Sequence, residues 1–264
     1  MEIIGYIASI LIGVLLGLIG GGGSILTVPV LVYLFAVLPV TATAYSLFIV
    51  GTTSVIGSIT YFKKGLVNIK TAIVFGLPSI FAVFLTRKYI LPAIPDRLFT
   101  LAGFEVTKDV FLMILFAVLM VVAAYTMLRD KKSDTTLEVQ SQKFNYPMIL
   151  LEGSFVGVLT GFVGAGGGFL IIPALVLFSK LPMKEAVGTS LVIIAAKSLL
   201  GFTGELGNAT LDWTFLLTLT SLAIVGIFMG SYLTRFINSD KLKPVFGVFV
   251  LLMGVYILFK EIWF

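Results

Sequence analysis

A lysine, a glutamate and two runs of glycine are the residues through which this otherwise apolar chain could do chemistry. Lys197 sits in SLVIIAAKSLLGF, seven residues beyond Ser190 and with no other charge close by. An ammonium facing lipid costs at least about 2.5–3.5 kcal/mol, so a lysine at that depth is expected to face a cavity or a partner. The chemistry it offers is attraction of an anion. The competing readings are snorkelling of its long stem to the outer surface and a structural pair with Glu152. Glu152 lies seven residues into its own apolar segment. It is the candidate proton-coupling carboxylate, protonated in one state and paired in another, with an interfacial position as the alternative.

The glycine runs offer a second way to hold an anion. Residues 17–29 read GLIGGGGSILTVP and residues 161–173 read GFVGAGGGFLIIP. A helix that starts at such a turn presents unpaired N–H groups and a partial positive charge, and glycine lets a ligand approach the backbone. Gly22, Gly23 and Ser24 open one such helix, and Gly166, Gly167 and Gly168 open the other. Close packing of helices is the other use of small residues in membranes, and Ser24 and Thr27 are also ordinary capping residues. A softer set of hydroxyls follows each run: Tyr45, Ser46 and Thr53 in the first half, Thr189 and Ser190 in the second. Residues 46 and 53 are seven apart and share a helix face, which suits hydrogen bonding to sulfonate or similar oxygens. Bonding to the backbone of their own helix is the common alternative.

These residues are positioned by a duplicated scaffold. The two glycine runs are 144 positions apart, and the same offset relates Tyr45-Ser46-Leu47 to Thr189-Ser190-Leu191 and Asn68 to Asp212. A one-residue gap is expected before the pairs Leu38-Pro39 and Leu181-Pro182. Thr86-Arg87 matches Thr234-Arg235, and an insertion occupies about residues 91–107 of the first half. Glycine-broken apolar segments at matching places in two halves point to a transporter's binding site.

Composition sets the class. Hydrophobic residues are 59%, charged residues 12%, and mean hydropathy is +1.13, against about 25% charge in soluble domains. There is no cysteine and no histidine, which excludes thiolate chemistry and removes the commonest ligand of zinc and haem; no cofactor is implied. Residues 3–19 have no basic leader before them and belong to the fold rather than to a removable signal peptide. Hydropathy gives five segments per half: 3–19, 25–37, 42–62, 68–90 and 108–128, then 145–163, 169–180, 186–203, 212–234 and 241–260. The second of each half is short. Thirteen residues from Ile25 to Val37 rise only about 20 Å, against a hydrocarbon core of roughly 30 Å. The glycine turn is therefore expected inside the membrane, in a bent or re-entrant hairpin, buried in protein or lining a wet cavity.

That hairpin changes the charge count of the loops. With it, twelve cations, including Lys63, Arg129, Lys143 and Lys241, fall on one face, and five, Arg87, Lys88, Arg97, Lys108 and Lys260, fall on the other. The positive-inside rule then places the linker in the cytoplasm and both termini outside. The expected organisation is an all-α polytopic membrane protein of two inverted repeats of about five helical segments each, with glycine-broken re-entrant or short helices near the bilayer midplane. Residues 1–128 form the first repeat, 129–144 a cytoplasmic linker and 145–264 the second repeat. The cell membrane is the expected location. Scattered loop cations give no support for nucleic-acid binding, and nothing singles out an oligomeric surface.

The paired glycine segments, the stretches Ala42–Leu47 and Ala186–Leu191, and the loops Gly65-Leu-Val-Asn68 and Ala209-Thr-Leu-Asp212 together resemble the TauE/SafE family of sulfite exporters and toluene sulfonate permeases. The resemblance runs over residues 5 to 260. It implies secondary transport of sulfite, sulfonates or related small organosulfur anions, ion-coupled, by alternating access around a midplane site. This chain departs from symmetry in having Lys197 where the first half has Thr53. An anion channel, which would use the same positive helix ends and a basic residue, is the alternative. An enzyme is disfavoured, because the acids are few and no GxxxxGK[ST] nucleotide motif occurs.

Overall fold

In a computed structural model of the chain, residues 2–263 are described except Gly22, 102–103, 130–145, 165–166, Phe178, Lys180, 206–210 and 234–238. Nearly all of the expected linker, Gly22 and Gly166 thus lie outside the described residues.

Every apolar segment forms a helix where its composition favours one. The first half holds α1 (Glu2–Ile19), α2 (Ser24–Leu34), α3 (Pro39–Lys63) and α4 (Ile69–Leu85), then a π-helical turn over Thr86–Ile90 that continues into a single turn, α5 (Leu91–Ala93). A short antiparallel hairpin, β1 (Arg97–Leu101) with β2 (Phe104–Thr107), fills the insertion and leads into α6 (Lys108–Arg129). The second half holds α7 (Tyr146–Val163), α8 (Gly168–Leu177), α9 (Met183–Thr203), α10 (Trp213–Leu233) and α11 (Ser239–Trp263). Among the described residues, five helices are long and apolar enough to cross a membrane. The chain is a multi-pass membrane protein.

Local chemistry sets the helix ends, and it does so in the same way in both halves. Gly20 at φ +78° and Gly164 at φ +66° end α1 and α7 in the left-handed region that glycine alone enters freely. Their N–H groups donate to Leu16 O and Thr160 O at 2.8 and 2.9 Å. Asn68 and Asp212 cap α4 and α10 by accepting from the N–H of Thr71 and Phe215, each at 3.0 Å. The bond from Val37 N–H to Leu31 O is repeated by Leu181 N–H to Leu175 O. This last pair keeps the 144-residue offset, so the gap expected near the Leu-Pro pairs is not needed: Pro39 is the first residue of α3, whereas Pro182 is the cap preceding α9.

The eleven-residue α2 rises about 16 Å, too little to cross. It folds back along α1, which brings Gly5 and Tyr6 at the start of α1 against Phe35 at the end of α2, with the Tyr6 and Phe35 ring centroids 5.5 Å apart. Both ends of this hairpin therefore lie at one side.

The principal helix contacts between the halves are matched when the halves are exchanged. Helix α1 packs on α10 as α7 packs on α4; α3 meets α10 as α9 meets α4; α3 packs on α9, α6 on α11, and α2 touches α8. Small residues allow the closest of these approaches. Gly13 and Gly17 of α1 lie against the backbone of Ala223, Ile227 and Gly230 on α10, while Gly226 and Gly230 lie against Ile10 and Val14. In the other half Gly153 and Gly157 of α7 do the same against Phe75 and Ser79, and Gly161 lies against the Thr86 side chain. Helices α3 and α9 form the centre, with 67% and 72% of their apolar windows buried, against 33% for α4. The outward rows on α4 and α10, such as Ile73, Leu77, Phe81 and Phe228, are exposed apolar side chains suited to lipid.

Candidate functional site

The two glycine turns meet at the centre of the molecule. A methyl group on Gly21 would sit 2.6 Å from Gly168 O, so the backbones of the two turns touch and no other residue type fits at their contact.

Around the second turn the chain gathers its buried charge. Lys197, on the central helix α9, is 1% exposed. Its Nζ donates to Thr160 Oγ1 of α7 at 3.0 Å, and a Cβ on Gly167 would lie 2.6 Å from Nζ. The ammonium thus rests on the backbone just before the start of α8. Gly167 holds φ +68°, which turns its bare backbone toward the lysine. Lys197 makes no ion pair among the described residues, and Glu152 is not its partner.

At the other end of the same turn lies a second cation. Arg87 is fully buried, and its Nη1 donates to Thr43 Oγ1 at 2.9 Å and to Glu205 Oε1 at 3.1 Å. Its Nη2 lies against Gly164, and Nη2 and Nε have no hydrogen-bond partner. The sequence reading counts Arg87 among the loop cations and places only Lys197 deep. The structure corrects this: the π-helical turn that follows α4, closed by Leu91 N–H to Thr86 O, rotates Arg87 inward while Lys88 points out over the rings of Phe84 and Tyr89. Removing Arg87 from the loop count leaves twelve cations against four.

The other expected residues are distributed unevenly. Gly23 and Ser24 begin α2, where Ser24 Oγ donates to Gly21 O at 2.7 Å and Thr27 Oγ1 to Gly23 O at 3.4 Å. Both hydroxyls therefore bond turn carbonyls. Tyr45 and Thr189 act instead across the halves. Tyr45 Oη accepts from Asp212 N–H at 2.8 Å, and Thr189 Oγ1 accepts from Asn68 N–H at 2.9 Å. Each hydroxyl holds the loop of the opposite half. Ser190 and Thr53 bond carbonyls of their own helices, Val187 O and Ile49 O, while Ser46 Oγ is buried without a partner. Glu152 lies on α7 eight residues before Thr160, about 12 Å along the helix, with neither carboxyl oxygen hydrogen-bonded. A small apolar cleft lined by Ser9, Ile12, Thr27, Val30, Ile49 and Ala223 flanks α2, away from both cations. Among the described residues no group of three His, Cys, Asp or Glu side chains gathers to hold a metal.

Thr43, Arg87, Thr160 and Glu205 are missing from the sequence reading as site residues. The one signal that pointed to any of them is the Thr-Arg pair present in both halves, at 86–87 and 234–235; the second copy lies outside the described residues.

This arrangement, two buried cations on a glycine turn within a duplicated bundle, can hold a small anion. The comparisons place it among known proteins. The model of the family described as sulfite exporter TauE/SafE matches residues 6–257. A protein of Xylella fastidiosa strain 9a5c named "Probable membrane transporter protein" is 31% identical over 258 residues, covering 95% of this chain and 92% of its own length. The Bacillus subtilis strain 168 protein named "Probable membrane transporter protein YunE" is 25% identical over 275 residues, covering 97% and 98%. No solved structure matches significantly. A family match over nearly the whole length, on a chain whose helices and halves are as described, means that this protein belongs to the sulfite exporter TauE/SafE family of membrane transporters.

Proposed function

We propose that the protein is a secondary-active transporter of sulfite, sulfonates or related small organosulfur anions, working by alternating access around the second glycine turn. The observation that carries this reading is Lys197: a buried lysine on a central helix, without a carboxylate partner among the described residues, resting on the backbone of a turn where a helix begins. An ionisable group at that depth faces a wet cavity or a polar partner, and an anion at the turn would be such a partner. Gly167 keeps the ammonium close to bare backbone, and Thr160 orients it. The exchange-symmetric helix contacts support an arrangement of inverted repeats, in which one half rocks against the other. Glu152 is the proposed coupling carboxylate, its two unpartnered oxygens consistent with a group that binds and releases a proton.

Purified protein in liposomes tests the reading. Uptake of sulfite, thiosulfate, sulfate and methanesulfonate is measured with and without a pH gradient, alongside electrical recording. Saturable uptake of sulfur oxyanions, recovered chemically unchanged, is expected. Conductance far above transporter turnover would replace the transporter with a channel, and no uptake of any of the four would sink the substrate assignment. Orientation is tested separately: single cysteines at Ser133 and Asn208 should label from opposite sides of the membrane with an impermeant reagent, and labelling from one side would end the inverted-repeat arrangement.

A further inference from the structure

We propose that Arg87 is a second anion-binding group of the same site, held in reserve by Glu205, so that the transported anion and the Glu205 carboxylate exchange on one guanidinium. The inference rests on the reading of the second glycine turn as the anion site.

Three observations carry it. Arg87 is fully buried, yet its pairing uses one nitrogen only: Nη1 serves both Thr43 and Glu205, and the pair is a single contact rather than the two-pronged fork that arginine and a carboxylate form when the geometry is built for stability. The two remaining nitrogens, Nε and Nη2, are buried and without a partner. Nη2 lies against the bare backbone of Gly164, where Thr43 and the guanidinium leave no space even for a methyl group, so an anion reaches it only by displacing a present neighbour such as Glu205. A buried donor without an acceptor is a standing cost unless an acceptor arrives, and the acceptor that fits here is an anion.

The position matches the other cation. Arg87 meets the turn at Gly164 and Lys197 meets it at Gly167, three residues apart, so the chain between the two contacts spans at most about 11 Å. A sulfur oxyanion offers three or four oxygens around one atom, enough to accept from a lysine at one side and from an arginine at the other. With Glu205 in place the site carries two positive charges and one negative. When an anion takes the guanidinium, Glu205 is released from Nη1 toward the edge where its side chain is 6% exposed. Thr43 stays in either state and keeps Arg87 aimed at the turn. Glu205 is then a competitor for the site as well as a structural partner.

A purely structural pair and a competing one predict opposite signs. Binding of methanesulfonate and of sulfate to the purified protein is measured for the wild type, Glu205→Gln, Glu205→Asp and Arg87→Lys, together with thermal midpoints with and without each anion. Competition predicts that Glu205→Gln binds at least about tenfold more tightly, because one negative charge has left a low-dielectric site. Its lowered thermal midpoint should also recover on adding anion by more than the wild type's does. Arg87→Lys should bind more weakly, since the remaining ammonium cannot supply the fork. A folded Glu205→Gln protein with unchanged or weaker affinity overturns the proposal. Should Glu205→Gln fail to fold, Glu205→Asp decides: its shorter reach should still raise affinity, and unchanged affinity again overturns it. Absence of binding of both anions by the wild type is a different result, which removes the anion site itself.

Discussion

The two glycine turns are built on one plan and furnished in opposite ways. Residues at equivalent positions touch them: Leu16 and Thr160 on the preceding helix, and Val187 and Thr43 from the opposite half. Lys197 of α9 also touches the second turn, and its equivalent is Thr53; Tyr61 donates to Gly17 O, while its equivalent Glu205, just beyond α9, pairs with Arg87. On the side of the first turn these positions hold Leu16, Val187, Thr53 and Tyr61, none of them charged. On the side of the second they hold Thr160, Thr43, Lys197 and Glu205, with Arg87 beside them. The backbones differ too: Gly23 is right-handed at φ −68°, whereas Gly167 is left-handed at φ +68°. Packing demands explain what the turns share, since the bare glycines are needed where Gly21 and Gly168 touch. They do not explain why two of these four positions carry charge on one side only. On the function proposed above, the second turn carries the chemistry.

The largest expected effect comes from making the second turn resemble the first. Lys197→Thr, which installs the residue of the equivalent position, should abolish transport while leaving the protein folded; wild-type uptake by that variant would erase the distinction between the turns. The same conclusion would follow if Lys197→Met combined with Glu152→Gln transported normally, since these two groups do not pair. Next comes the backbone. Gly167→Ala must take a left-handed conformation and press on Thr160 and Lys197, so a stability loss of about 3 kcal/mol or more is expected, with loss of anion binding. Gly65 has the same φ of +68° and nothing within 4 Å of a built Cβ. Gly65→Ala should therefore cost only about 1–2 kcal/mol and leave transport intact. Equal losses at the two sites would mean that the crowding at Gly167 has no consequence. The smallest effects are expected where the halves are alike: Tyr45→Phe and Thr189→Val each remove one acceptor for a loop N–H, lowering stability by about 1 kcal/mol with near-normal anion affinity. A large affinity loss in either would return those hydroxyls to the binding site.

Much of this was legible in the sequence, for definite reasons. Ten apolar segments became ten helices because the membrane permits little else, and the duplication was visible because prolines, glycines and caps recur at one offset. Lys197 stood out because nothing else near it is charged. Arg87 did not, because it sits beside Lys88 at the end of a segment, where charges normally meet the interface; only the π-helical turn rotates it inward, and no local pattern announces that turn. Its partner Glu205 is more than a hundred residues away. The bonds of Tyr45 and Thr189 to the loops were not legible for a related reason: a hydroxyl on an inner helix face suits a ligand and a distant backbone N–H equally well, and the N–H comes from a loop of the other half.

The cross-packing of the halves has a consequence for assembly. Neither half closes on itself: α1 finds its groove on α10 and α4 finds its groove on α7, while α3 and α9, α6 and α11, and α2 and α8 each meet their own counterparts. This is the contact set of a two-fold dimer, in which one surface is complementary to a copy of itself. A polypeptide comprising a single half would present every one of these surfaces unsatisfied and would recover them by pairing with a second copy. Covalent joining of the halves then adds no new surface. It supplies a high effective concentration, and it leaves each copy free to change its own side chains, as the two turns have done.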